Sequence, residues 1–96
     1  MTYQTEFPDF ASDTMPPIPQ GFVDQSWSQD TCPTFVDETR KLTLWVDFAD
    51  TEAREHPDSK RFTLCRYGFK QGQFYVTDVY ATDDWQEIIQ AIASAE

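Results

Sequence analysis

Basic residues, cysteines and long apolar runs are all scarce in this chain, and each scarcity removes a class of function. Seven Lys and Arg stand against 17 Asp and Glu, a formal net charge of −10. Such a surface repels phosphates, which argues against a nucleic-acid ligand and against an anionic membrane. Basic or cationic partners are its natural complement. Two cysteines, Cys32 and Cys65, are too few to form the disulfide framework of a small secreted domain, although a single bridge between them stays open. The first ten residues, MTYQTEFPDF, are acidic and hold no apolar run, unlike a secretory signal, so the expected compartment is a reducing cytoplasm. No apolar stretch approaches the roughly 20 residues of a membrane helix. Repeats and low-complexity tracts are missing. So are catalytic, metal and nucleotide motifs, and neither a cofactor nor a catalytic or metal-binding residue is expected.

What is present is enough for one folded unit. The 96 residues are 40% hydrophobic and 16% aromatic, so bulky anchors are plentiful despite the charge. A chain of this size should bury somewhat over 60% of the surface its unfolded form exposes. The acids are unevenly placed. Residues 1–40 hold seven acids and one base, residues 41–81 hold six of each, and residues 82–96 hold four acids and no base.

Residues 1–20 contain Pro8, Pro16, Pro17 and Pro19 and follow neither a helical nor a strand period, which predicts an extended arm ahead of a single domain over 21–96. Tyr3, Phe7, Phe10, Met15 and Ile18 are too many large apolar groups for a free tail, so part of the arm should pack. Thr34 to Glu38 reads as a short strand. Over 41–48, Leu42, Leu44, Val46 and Phe48 alternate with Thr43, Trp45 and Asp47, the clearest strand in the chain. Asp50 can cap a single helical turn. Strands are predicted over 60–67 and 74–80, joined as a hairpin by about five residues that include Gly68 and Gly72.

Trp85, Ile88, Ile89 and Ile92 fall at offsets of 0, 3, 4 and 7 and predict an amphipathic helix over 83–95. Asp83 is the expected N-cap, with Gln86 completing a capping box. Burying the four side chains is worth roughly 6 to 12 kcal/mol gross. The expected fold is therefore α+β: a small antiparallel sheet of three to four strands, the C-terminal helix packed on one face, and the extended N-terminal arm. One helix leaves the second sheet face to be explained. Trp45, with either Tyr75 and Val79 or Phe74 and Val76, has to be covered there by the arm or by a second copy of the chain.

The candidate chemistry is weaker than this surface. Asp47, Asp50, Glu52, Glu55, His56 and Asp58 offer metal-ligating atoms, but without calcium-loop spacing or a zinc His pair, and with Arg54 among them; a solvated loop explains them better. Cys65 in mid-strand reads as a buried small residue, while Cys32 beside Pro33 reads as the more exposed thiol. Lys60, Arg61, Phe62, Arg66 and Tyr67 interleave bases with aromatics as a single-strand nucleic-acid platform does, but charged residues that protect a strand edge explain them equally. The acidic ends suggest phosphate mimicry if they converge on one surface, although solubility alone accounts for the charge. The expectation is a non-enzymatic protein-interaction or regulatory module that binds a protein partner or a second copy through Trp27, Trp45, Tyr75 and Tyr80. An acidic DNA mimic and a small metal-dependent enzyme are the alternatives.

Overall fold

Strand alternation divides residues 42–46 into two sets: Leu42, Leu44 and Val46 are buried, while Thr43 and Trp45 are half-buried. Everything else in the fold follows from which elements cover each set. The computed structural model describes residues 2–94. In chain order the elements are a one-turn helix α1 (Tyr3–Glu6), strands β1 (Val23–Asp24), β2 (Thr34–Asp37), β3 (Leu42–Val46), β4 (Phe62–Lys70) and β5 (Gln73–Thr82), and helix α2 (Trp85–Ser94). Short 3-10 turns lie at Ser12–Thr14 and Thr51–Ala53, the second capped by the Asp50 carboxylate as expected.

The strands pair antiparallel in the order β1-β2-β3-β4-β5, a meander with β1 and β5 at its edges. Five strands replace the three to four expected. The addition is β1, two residues held by Val23↔Val36 and Asp24↔Phe35, too short to show a period in sequence. β4 and β5 also run further than expected. They are linked by Gln71 and Gly72 alone, at φ 53° and 82°, the positive values that a two-residue type I′ hairpin turn requires. Gly68 is not part of the link but a strand residue. The Tyr75 ring crosses over it so closely that a Cβ there would lie 2.5 Å from the Tyr75 hydroxyl.

Helix α2 starts at Trp85, and its cap is Asp84 rather than Asp83. The Gln86 N–H donates to Asp84 Oδ1 at 2.9 Å, and Glu87, in place of Gln86, reaches back to hydrogen-bond Thr82. The reason lies in the sheet. β5 continues to Thr82, level with Phe62, and so leaves Asp83 to accept the Arg61 backbone N–H at 2.9 Å and to pair with Lys60 at 3.5 Å. The predicted helix end at Ala95 lies outside the described residues. Ile88 and Ile92 are buried in one cluster with Phe62 and Leu64, and the Trp85 ring meets Phe62 at 5.1 Å.

The arm covers the remainder of that same face. Phe7 and Phe10 are buried, and their rings lie 6.4 and 5.2 Å from Phe48. Tyr3 stands edge-on to Phe35 at 6.3 Å and donates its backbone N–H to Asp24 at 2.7 Å. Arg61 donates to the Thr14 carbonyl at 2.7 Å and ties down the far end of the arm. Phe35 lies opposite Leu44, on the side that also receives Ile88. The alternative that the arm covers the second face is thereby overturned, because its rings find their partners beside α2.

The β2–β3 turn places Lys41 at φ 57° and is organised by Asp37, which accepts the N–H groups of Thr39 and Arg40 at 3.0 and 3.1 Å and the Arg40 Nε. Burial raises the Asp37 pKa, but the hydrogen bonds from Arg40 and Thr39 outweigh it and hold the carboxyl below its ordinary range. A depressed carboxyl stabilises the fold above its unfolded value of about 3.9 and loses that contribution as pH falls through the folded one. Urea midpoints measured against pH should fall on this acid limb, and Asp37→Asn should flatten it; an unchanged limb contradicts the assignment. Phe10→Ala should cost about 3–5 kcal/mol in urea unfolding, as for a core ring. A loss below about 1 kcal/mol would place that ring in solvent.

Candidate interaction surface

The second face is built by the residues that alternate with the core. β1 presents Val23; β2 and β3 present Thr34, Val36, Thr43 and Trp45. β4 adds Thr63, Cys65, Tyr67 and Phe69, and β5 adds Phe74, Val76 and Ala81. None of these side chains is charged, although a quarter of the chain is. The 25–33 loop shields one corner, where Thr34 is buried and donates its N–H to Ser26 Oγ at 3.1 Å. Elsewhere the face is open. Phe69, Phe74 and Val76 are 61%, 58% and 47% exposed.

The exposure is greatest where the hairpin outruns the sheet. β3 reaches β4 only as far as Leu42↔Arg66, so Tyr67 to Val76 form a two-stranded ribbon beyond it. On its uncharged side Tyr67, Phe69 and Phe74 gather at centroid separations of 5.6 to 6.2 Å. An isolated two-stranded ribbon is marginal in water, and this one carries its aromatics outward. Between the ribbon and α2, two β5 residues, Asp78 and Val79, oppose Cys65 alone, because Leu64 pairs with Tyr80 and Arg66 with Thr77. This bulge also interrupts the β5 edge.

Of the four residues expected at an interaction surface, the strand register places Trp45 on this face and Tyr75 and Tyr80 off it. Trp27 is exposed in the loop between β1 and β2. Tyr75 and Tyr80 lie on the α2 side of β5, Tyr75 over Gly68 and Tyr80 hydrogen-bonded to Glu87. The phase of β5 selects Phe74 and Val76 from the two alternatives. Tyr67 closes the strand predicted over 60–67, whereas Phe69 joins the face only because the strand runs on through Gly68 to a turn at Gln71-Gly72.

At the Trp45 end of the face, the loops holding Thr31 and Cys32 and residues 55–61 enclose a hollow of about 200 Å³ with Glu55, His56, Lys60 and Arg61 on its walls. This is smaller than the 300 Å³ or so at which small-molecule pockets begin. Cys32 is buried there, contrary to its expected exposure, because Pro33 and the strand that follows carry it beneath the loop. Burial, reinforced by Asp47, pushes its thiol up to about 12, so at neutral pH it offers no thiolate to pair with His56. Cys65 is half-buried, also against expectation, since it stands on the uncovered face; both thiols are free.

The acids of 47–58 do not converge either. Among the described residues no three His, Cys, Asp or Glu side chains gather as metal ligands. Arg54 is buried instead, donating at 2.7 Å to the carbonyls of Phe48 and Ser59, and so staples the loop. The mixed bases and aromatics of β4 also part: Phe62 enters the core and Tyr67 joins the opposite face. Among the described residues no helix is long and apolar enough to cross a membrane. The chain matches no protein-family model, no curated protein and no solved structure. Its surface is therefore read from its own chemistry.

In dilute native protein a thiol reagent should modify Cys65 first and reach Cys32 only on unfolding. Mass spectrometry that finds Cys32 labelled at the same rate contradicts its burial.

Proposed function

We propose that this chain is a non-enzymatic protein-interaction module that binds through the uncovered face of its sheet. One observation carries the reading: the arm and α2 lie side by side on one face, leaving a second face whose described strand side chains are uncharged, with Phe69 and Phe74 in solvent. Apolar groups concentrated in this way are characteristic of a binding surface, and depletion of charge is the compositional mark of an interface centre. The binding residues in this reading are Trp45, Tyr67, Phe69, Phe74 and Val76. Two unpaired cysteines suit the reducing cytoplasm in which such a module would work.

The test is affinity capture with matched baits. A partner should be retained by the natural chain and by Tyr80→Lys on the α2 side, and lost from Trp45→Glu and Phe74→Glu. Circular dichroism and unfolding should show each bait folded. Equal retention by all four refutes the reading.

A second reading, phosphate mimicry, draws on the shared side of the arm and α2. What supports it is that the segments carrying Glu6, Asp9 and Asp13 pack on the same sheet face as the helix whose first turn holds Glu87. The reading predicts salt-sensitive binding to a DNA-binding protein that is weakened by neutralising those acids and indifferent to Phe74→Glu.

A further inference from the structure

Resting on that reading, we infer that the occupant of the uncovered face is a second copy of this chain, the two sheets packed face to face about a two-fold axis. The first argument is complementarity. In an isologous contact each surface meets itself, so like charges on it would oppose one another. The described side chains of this face carry no charge and are apolar, Thr or Tyr, which is what a self-facing surface requires. A basic partner, the natural complement of a −10 chain, finds its attraction on the other side, among the acids of the arm and the first turn of α2.

Face-to-face packing also holds the two negative charges far apart. Face-to-face sheets are about 10 Å apart, and a covering layer adds roughly another 10 Å on each side. The acids of the two covering layers then stand roughly 30 Å from one another, more than three Debye lengths of ~8 Å at physiological ionic strength. Net charge therefore opposes this approach far less than it opposes one through the α2 side.

The third argument is size. Strands of 2, 4, 5, 9 and 10 residues at ~3.3 Å per residue, set about 4.8 Å apart, give a face of ~480 Å² in projection. A standard stable interface takes ~800 Å² of accessible surface from each partner, and a ridged face exposes more than its projection. Pairing through the β5 edge would leave Val36, Thr43 and Trp45 as bare as before, and the bulge at Asp78 and Val79 interrupts that edge. Sheet-on-sheet packing covers β2 to β5 together and gives the Tyr67, Phe69 and Phe74 ribbon its missing support.

Sedimentation velocity of the whole chain across a dilution series, at physiological ionic strength, tests this. The expected particle has twice the 11.2 kDa chain mass. Phe74→Glu should weaken the dimer by at least about 30-fold, as the loss of an interface hot spot does, while Tyr80→Lys leaves it unchanged. Alkylation of Cys65 should be slower in concentrated than in dilute protein, and fast at both concentrations in Phe74→Glu. A monomer at every concentration overturns the inference, as does a dimer that Tyr80→Lys breaks. A monomer that still captures a partner through Phe74 ends the dimer and leaves the interaction reading standing. A monomer without such a partner ends both.

Discussion

A five-stranded meander has two faces, and this chain has one helix and one aromatic arm to cover them. Both go to the same side. The decisive contacts are those that Tyr3, Phe7 and Phe10 make with Phe35 and Phe48, next to the place where Ile88 and Ile92 settle on Phe62 and Leu64. Helix α2 is ten residues long and too short to be stable alone or to roof a whole sheet. Without the arm, the β2–β3 half of the core would face water. The arm completes the core, and apart from the loops at the Trp45 end no described element covers the second face.

The charge layout follows the same division. The acid-rich N-terminal segment and the acidic start of α2 are the two elements that cover the core, so they carry much of the negative charge to that side. The hairpin runs the other way: residues 60–77 hold Lys60, Arg61, Arg66 and Lys70 and no acid at all. Lys60 pairs with Asp83, and Arg61 donates to the carbonyls of Asp47 and Thr14. The described strand side chains toward the second face are uncharged, and most are apolar. A protein whose composition suggests a polyanion thus presents one broad surface where electrostatics has little to say and burial of aromatic area decides affinity.

Much of this was legible in the residues. The alternation over 42–48 and the 0, 3, 4, 7 stripe from Trp85 to Ile92 each encode one face, and those strand and helix positions stand where they were expected. The uncovered face could be anticipated by counting covering elements. Three features were not legible. The start of α2 depends on Asp83 being held by Arg61 across the sheet, a long-range contact that a local capping pattern does not contain. The phase of β5 depends on a two-residue turn at Gln71 and Gly72 and on a bulge, and a one-residue slip exchanges Tyr75 for Phe74 on the exposed face. The direction taken by the arm depends on Phe35 and Phe48 offering ring partners on the α2 side, which composition cannot reveal. The phase of β5 is also why Tyr75 and Tyr80, first expected at the surface, stand on the α2 side.

Side-chain NMR tests the central claim most directly, because the two faces of the sheet carry different aromatic rings. Nuclear Overhauser contacts are expected from Phe10 to Phe48 and from Tyr3 to Phe35, with none from the arm to Trp45, Tyr67 or Phe74. Contacts from the arm rings to Trp45 or Tyr67 would put the arm on the other side, remove the uncovered face, and with it the reason for a partner there.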